Sequence, residues 1–240
     1  MLTKLGVYVL GVAGPLGLSG WLTRKSKPLR PFSLGCTYAA CVGAVVSTAC
    51  SRPLHRRTTG LLGKTRDGKF PLWSWAVFWP YHFGLRLKLH LQRSKRNAED
   101  LYNEIDAAPG WFIGGWPSNA SELPGQDVAV VDVTCELPRT HATGAYFAVP
   151  TWDTTGPDPA AAAQAVDWAL TQRQAGRAVL IHCAHGHGRS AAVMGAALVA
   201  MGLAGGAEEA QALMRRSRPL VRLNSDQFAT VASAATARAL

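Results

Sequence analysis

The chain has 240 residues, enough for one ordinary domain plus an extension, and its formal net charge is +10. Residues 1–96 contain 16 Lys or Arg and one acid, whereas residues 97–240 contain 9 Lys or Arg and 14 Asp or Glu. A uniformly basic protein is therefore excluded. The 5 cysteines lack regular spacing, which argues against a disulfide-bonded scaffold and fits a reducing compartment.

The N-terminal region (residues 1–97) is predicted to attach to a membrane. Two uncharged apolar stretches, residues 5–22 and 32–50, are each about as long as a membrane-spanning helix requires. The stretch 71–84 is shorter and rich in Trp, which is typical of the interface between lipid and water. Basic clusters flank these stretches, where positive charge meets headgroups, so they indicate a membrane and no nucleic acid partner. For the first stretch, a cleaved signal or transit peptide is the alternative.

The C-terminal region (residues 98–240) is predicted to be an α/β domain with a largely parallel central sheet flanked by helices. Strand-like runs at 111–117, 127–135, 145–150 and 177–183 alternate with helical runs at 159–175, 190–203, 208–216 and 225–240. Such alternation is typical of a parallel sheet, in which ligands bind beyond the carboxyl ends of the strands.

The segment "HCAHGHGRS" (residues 182–190) lies at one of those ends, between a predicted strand and a predicted helix. A zinc site is one interpretation, because His and Cys are zinc ligands, but four ligands within six residues surround a tetrahedral ion poorly. An anion site fits better, because glycines let the loop amides converge on one point at a helix N-terminus. Arg189 can grip two oxygens of the anion, and this environment lowers the pKa of Cys183. A structural turn without chemistry is the third interpretation.

The segment matches the H-C-x5-R-[S/T] signature and resembles the cysteine-dependent, dual-specificity class of protein tyrosine phosphatases. Across residues 101–235, "YNEI", "PGWFIGGWPS" and "VVDVTCELPR" resemble the membrane-attached members of plants and bacteria. Relatives of these members include lipid phosphatases that act on phosphatidylglycerophosphate or phosphoinositides. The resemblance implies that Cys183 is the nucleophile, that Ser190 hydrogen-bonds its sulfur, and that no metal or other cofactor is needed. The implied phosphate-binding residues are Ala184, His185, Gly186, His187, Gly188 and Arg189.

The class also requires an aspartic acid that protonates the leaving oxygen, about thirty residues before the nucleophile. Asp153 stands at that distance and follows a predicted strand directly, whereas Asp158 adjoins the start of a helix that it can cap. We therefore assign the general acid to Asp153. His185 and His187 occupy positions where phosphoinositide phosphatases often carry lysine, which disfavours multiply phosphorylated headgroups.

The remaining candidates each have two interpretations. His182 orders the loop or is an ordinary buried histidine, and Asn224 and Gln227 position water or cap a helix. Arg139 faces the substrate or solvent. Cys135 traps oxidised Cys183 as a disulfide or is a buried, inert thiol.

The predicted function is a membrane-attached phosphatase that forms a phosphocysteine, with its catalytic domain on a reducing, cytosol-like side. The expected substrate is a phosphorylated lipid, and a phosphoprotein is the alternative. Two other classes stay open at this point: a phosphate-binding module without turnover, and a sulfur carrier, which usually has a shorter loop between Cys and Arg.

Overall fold

The computed structural model describes residues 1–94, 100–142 and 144–239. The chain divides into two compact units. The hydrophobic unit comprises residues 1–63 and 70–97, and the C-terminal unit comprises residues 64–69 and 98–240. Residues 64–69 therefore group with the C-terminal unit, although the sequence analysis places them in the N-terminal region.

The hydrophobic unit consists of helices α1 (Lys4–Thr23), α2 (Arg30–Ala49) and α3 (Leu72–Ser94). By length and composition, α1 and α2 are able to cross a membrane, and they contain nearly all of the two predicted apolar stretches. The aromatic stretch 71–84 continues into the basic residues after it as one helix, with a non-helical backbone at Phe78. Pro80 explains this kink, because proline lacks an amide proton and clashes with the preceding helical turn.

Small residues allow α1 and α2 to approach each other closely. A Cβ atom on Gly43 would lie 2.7 Å from the Cβ of Ala13, and one on Gly20 would lie 2.6 Å from the Oγ1 of Thr37. The Ser33 hydroxyl also donates a hydrogen bond to the Gly20 carbonyl at 2.6 Å. Close backbones and hydrogen bonds between helices are typical of helix pairs in a bilayer, where burial from water does not drive helix association.

In the described residues, the C-terminal unit contains one five-stranded sheet, four α-helices and a short 3-10 helix (Ala120–Glu122). The strands are β1 (Tyr102–Ile105), β2 (Ala108–Gly114), β3 (Val128–Asp132), β4 (Ala145–Ala148) and β5 (Ala178–His182). The helices are α4 (Pro159–Gln174), α5 (Arg189–Ala200), α6 (Ala207–Ser217) and α7 (Ser225–Ala239). The strand order is β1-β2-β5-β3-β4, in which β1 pairs antiparallel with β2 and the other pairs are parallel. The predicted α/β class with a largely parallel sheet is confirmed, and the antiparallel edge strand β1 is an addition to it.

The register of the sheet brings four strand ends to one edge. Gly114 of β2 and Asp132 of β3 both pair with His182 of β5, and Asp132 also pairs with Ala148 of β4. The central strands are continuous apolar runs, as expected for strands that are covered on both faces. The segments that follow β2, β3, β4 and β5 therefore emerge together, and they form the site described next.

Candidate active site

The Cys183 loop (residues 183–188) connects β5 to α5 and curls around the sulfur of Cys183. The residue is only 4% exposed. Its Sγ accepts hydrogen bonds from the Gly186 amide at 3.3 Å and from the Ser190 hydroxyl at 3.4 Å. Gly186 has φ +80°, and a Cβ there would lie 2.5 Å from the backbone of Gly114. Only glycine fits this position, because both the backbone conformation and the space exclude a side chain.

The carbonyl groups of the loop point outward. Every carbonyl from residue 184 to 188 accepts a hydrogen bond; the donors are the backbone amides of Trp116, Ala192 and Arg222 and the guanidinium of Arg218. The loop amides therefore face the inner side, as the Gly186 amide does toward the sulfur. Gly188, at the N-cap of α5, has no side chain to occupy the first helical amides. Converging loop amides and the positive end of a helix dipole are features that bind anions in proteins.

Arg189 is buried at the start of α5, and carboxylates hold its guanidinium in place. Its Nη1 donates to Glu136 Oε2 at 2.9 Å and to the Thr151 carbonyl at 2.8 Å. Its Nη2 lies 2.8 Å from Glu136 Oε1 and 3.1 Å from Asp153 Oδ1. Among the described residues, Nε has no hydrogen-bond partner. The Nε edge of the guanidinium is thus a donor surface for an anion.

The surroundings of Cys183 favour its thiolate. Burial by itself raises the pKa of Cys183, but the charge of Arg189 and hydrogen bonds from Ser190 and the Gly186 amide lower it below the ordinary value. The pKa of Arg189 shifts in the opposite direction: burial lowers it, but Glu136, Asp153 and Cys183 raise it well above its usual range. A cysteine whose thiolate is stabilised by a neighbouring permanent cation is the arrangement that nucleophilic catalysis requires.

Asp153 and Asp158 have different structural roles. Asp153 follows the fully buried Trp152, and its carboxylate contacts Arg189 and accepts the Thr154 amide at 3.0 Å. Thr154 has φ 66°, a conformation that β-branched residues rarely adopt and that marks backbone strain. Asp158 instead caps α4 by accepting the amides of Ala160 and Ala161, both at 3.1 Å. The structure therefore brings Asp153, and not Asp158, to Arg189.

Asn224 and Gln227 form a capping box at the start of α7. The Gln227 amide donates to the Asn224 side chain at 3.0 Å, and the Asn224 amide donates to the Gln227 side chain at 3.0 Å. Their remaining side-chain amino groups donate to the carbonyls of Thr154 and Thr155. The two residues thus cap a helix and at the same time hold the backbone next to Asp153.

The candidates at the ends of β3 and β5 are buried. His182 Nδ1 lies 3.4 Å from the Cys183 carbonyl, and its Nε2 lies 3.8 Å from Asp132. Burial lowers the pKa of His182 to about 4, so the imidazole is neutral near pH 7. Cys135 is fully buried beside Glu136, and burial raises its pKa well above the usual range. Its role as a redox partner stays a prediction.

The remaining candidates lie around the loop. The rings of His185 and His187 are stacked, with centroids 6.0 Å apart. The guanidinium of Arg139 lies over the ring of Tyr146 at 4.7 Å, and its Nε donates to the His141 carbonyl at 2.9 Å.

Sequence reasoning misses two charged residues of the site. Glu136, within the quoted "VVDVTCELPR", pairs with Arg189. Arg218 is buried and donates to the carbonyls of His185 at 2.8 Å and Gly186 at 3.2 Å. The signals were weak: an acid soon after a buried strand for Glu136, and for Arg218 an arginine before a proline, in a segment that also contains Arg215, Arg216 and Arg222.

No protein-family model matches the chain, and no curated protein matches it significantly. Among solved structures, the human tyrosine phosphatase-like serine/threonine/tyrosine-interacting protein matches with a TM-score of 0.51 and 18% identity, over 59% of this chain and 100% of that chain. PTPMT1 in complex with PI(5)P has a TM-score of 0.49 and 22% identity, over 59% and 100% of the two chains. Human DUSP28 has a TM-score of 0.48 and 26% identity, over 55% and 96%. The match to the tyrosine phosphatase-like protein, with a TM-score above 0.5, shows that the chain shares the fold of that protein.

Proposed function

We propose that the chain is a cysteine-dependent phosphatase that hydrolyses phosphate monoesters through a phosphocysteine intermediate. One observation carries the proposal: the sulfur of Cys183, with its lowered pKa, lies inside a loop of inward-facing amides beside the buried guanidinium of Arg189. A binding module without turnover needs the amides and the arginine. It does not need a thiolate nucleophile with a hydroxyl donor and a carboxylate beside it.

In the first step, the Cys183 thiolate attacks phosphorus and the bond from phosphorus to the leaving oxygen breaks. The loop amides and Arg189 stabilise the equatorial oxygens, whose negative charge they already face. Asp153 gives its proton to the leaving oxygen. An S–P bond replaces an O–P bond, and the alcohol departs neutral.

In the second step, water replaces the sulfur. Asp153, now a carboxylate, takes a proton from the water as the oxygen attacks phosphorus. The S–P bond breaks and Cys183 leaves as a thiolate, which the Ser190 hydroxyl stabilises through the contact at 3.4 Å. Inorganic phosphate is released, and the proton on Asp153 restores the starting state.

We further propose membrane attachment and a phosphorylated lipid substrate. Only 22% of the most apolar 18-residue stretch of α1 is buried, and only 39% of that of α2. Exposed Trp, Phe and Leu side chains lie on the surfaces of these helices. An apolar surface of this kind requires a lipid or protein cover. A catalytic unit joined to such helices meets membrane substrates at a higher effective concentration than soluble ones.

Phosphate release from a small aryl phosphate tests the proposed reaction. The full-length protein in detergent should release phosphate, whereas Cys183→Ser should lose turnover and retain phosphate binding, because serine keeps the loop but is a far weaker nucleophile. Cys41→Ser, which changes an exposed cysteine of the hydrophobic unit, is the matched control and should behave as the unchanged protein. Turnover by purified Cys183→Ser above a small fraction of the unchanged rate would contradict the mechanism.

A further inference from the structure

The segment 64–69 ("KTRDGK") is part of the C-terminal unit, although residues of the hydrophobic unit precede and follow it in the sequence. The Arg139 amide donates to the Gly68 carbonyl at 2.7 Å. Gly68 has φ +83°, and a Cβ there would lie 2.6 Å from the Cβ of Arg139. The segment thus packs closely against the chain that follows β3.

Lys64 enters the interior of the C-terminal unit from this segment. Its Nζ lies 2.6 Å from Asp132 Oδ2 and donates to the carbonyl of Thr134 at 2.8 Å and to the Thr134 hydroxyl at 3.1 Å. Both charged side chains are fully buried. Asp132 also accepts the Tyr146 hydroxyl at 2.6 Å, so every proton of the ammonium and both carboxylate oxygens have partners. Burial of an ion pair is tolerated only with such complete hydrogen bonding.

Lys64 contacts Asp132 at the end of β3 and Thr134 in the segment that follows, the β3 turn (residues 133–137). This turn leads to the proposed site. Thr134 donates its amide and its hydroxyl to Asp132 Oδ1 at 2.9 and 2.7 Å. The next amide of the turn, that of Cys135, donates to the Thr151 carbonyl at 3.2 Å. Glu136 follows, and its carboxylate binds the guanidinium of Arg189. Lys64 is therefore connected to Arg189 by its hydrogen bonds to Thr134, by the turn from Thr134 to Glu136, and by the ion pair of Glu136 with Arg189.

We propose that Lys64 is a positioning residue of the active site, which fixes the β3 turn and, through Glu136, the guanidinium of Arg189. The expected effect of Lys64 on the rate of hydrolysis rests on the proposed phosphatase function. The expected effect of Lys64 on the thiolate of Cys183 does not rest on that function. A consequence is that a fragment of residues 98–240 would lack Lys64, which lies between α2 and α3 in the sequence.

The experiment uses the full-length protein in detergent and two readouts. One is the rate of aryl phosphate hydrolysis. The other is the pH midpoint of Cys183 alkylation by iodoacetamide, followed by mass spectrometry, which reports the pKa of the thiol without turnover. The charged and titratable groups near this thiol include Arg189, Glu136, Asp153 and the histidines of the loop and its start, His182, His185 and His187.

Three variants separate positioning from charge and folding. Lys64→Met removes the contact but leaves Asp132 buried without its partner, which can unfold the protein. Lys64→Met/Asp132→Asn removes both charges and leaves the net charge unchanged, so the core carries no unpaired charge and the direct electrostatic effect on Cys183 largely cancels. Lys69→Met removes the same charge from an exposed lysine of the same segment, whose side chain is 75% exposed, and is the matched control.

We expect the double variant to fold, to turn over about 10- to 100-fold more slowly, and to show an alkylation midpoint raised by about half a unit or more, because a displaced guanidinium stabilises the thiolate less. Lys69→Met should match the unchanged protein. An unchanged rate and midpoint in the double variant would overturn the proposal. Failure of the double variant to fold would overturn it as well, since Lys64 would then serve folding. If the unchanged protein shows no turnover but the midpoint still rises, the phosphatase function fails and the positioning role stands.

Discussion

Asp153 carries the proton in the proposed reaction, and its position results from the contacts of its neighbours. Trp152 is fully buried on one side of it, and Thr154 is held in the left-handed region on the other. Its carboxylate lies 3.1 Å from Arg189, the same side chain that would bind the substrate phosphate. The carboxyl group is therefore held beside the guanidinium that would bind the substrate phosphate, as a general acid for that phosphate must be.

Asp153→Asn should slow turnover about 10²- to 10⁴-fold, because general acid catalysis contributes that much. The loss should be large for alkyl phosphates, whose leaving oxygen needs a proton, and small for activated aryl phosphates. Steady-state kinetics on a series of leaving groups measure the difference.

Asp158→Asn is the control for Asp153→Asn. This substitution changes the N-cap of α4, where asparagine caps about as well as aspartate, so both rate and stability should stay close to those of the unchanged protein. If Asp158→Asn shows the leaving-group dependence and Asp153→Asn does not, the acid has been assigned to the wrong carboxylate.

The paired ends of β3 and β5 predict how stability depends on pH. Burial and the charge of Lys64 lower the pKa of His182 to about 4. For Asp132, burial raises the pKa, but Lys64 and His182 lower it to about 2. Both groups bind fewer protons in the folded chain than in the unfolded chain, whose values are near 6.5 and 3.8. The free energy of unfolding should therefore fall as the pH drops from about 6.5 to 4, and fall again from about 4 to 2.

Hydrogen exchange of the β3 and β5 amides, corrected for the intrinsic rate, measures the first of these losses. We expect the free energy of opening that this protection reports to decrease between pH 7 and pH 4.5, by up to about 3 kcal/mol at pH 4.5. His182→Gln removes the titrating group and should flatten this dependence. His90→Gln, at an exposed histidine of α3, should leave it unchanged. An equal loss of protection in His182→Gln would show that another group causes it.

Some elements could be predicted from the sequence because their signal is local. "VAVVD" and "AVLIH" are short apolar runs that suit strands buried on both faces, and β3 and β5 lie there. Strand β1 could not be predicted, because "YNEI" has a single fully buried residue and forms a strand only by pairing with β2. The aromatic stretch 71–84 likewise does not indicate that α3 runs through a kink at Phe78 and continues beyond Gly84 to Ser94.

The proposed site likewise has residues that the local sequence predicts and residues that it does not. Cys183, Arg189 and Ser190 stand within eight residues, so their spacing alone indicates an anion loop. Glu136 and Arg218 reach this loop from segments 47 and 35 residues away from Cys183 in sequence. A single charged residue has no periodicity, and burial in the fold, not its local sequence, makes it a partner.

For the whole molecule, the distribution of charge supports the proposed tether. The hydrophobic unit carries 13 Lys or Arg and no acid, whereas the C-terminal unit, residues 64–69 included, carries 12 Lys or Arg against 15 Asp or Glu, a net charge of −3. A domain with a net negative charge has little general attraction for anionic headgroups. Residues 64–69 of the C-terminal unit are joined by the chain to the hydrophobic unit on both sides, at residues 63/64 and 69/70. Membrane affinity would therefore come from the helices, and proximity from the connections.

The proposed phosphatase, if anchored by these helices, is predicted to prefer substrate in the same bilayer. Full-length protein reconstituted into vesicles that also contain phosphatidylglycerophosphate, or a singly phosphorylated phosphoinositide, should release phosphate faster than the same protein mixed with separate vesicles of that lipid. The advantage should reach about 10²-fold or more, because the tether replaces encounter in solution by a high effective concentration. A soluble phosphopeptide gains nothing from the bilayer and is the matched comparison. Turnover of the phosphopeptide, with no turnover of either lipid within the same vesicle, would contradict a lipid substrate and favour a protein phosphatase.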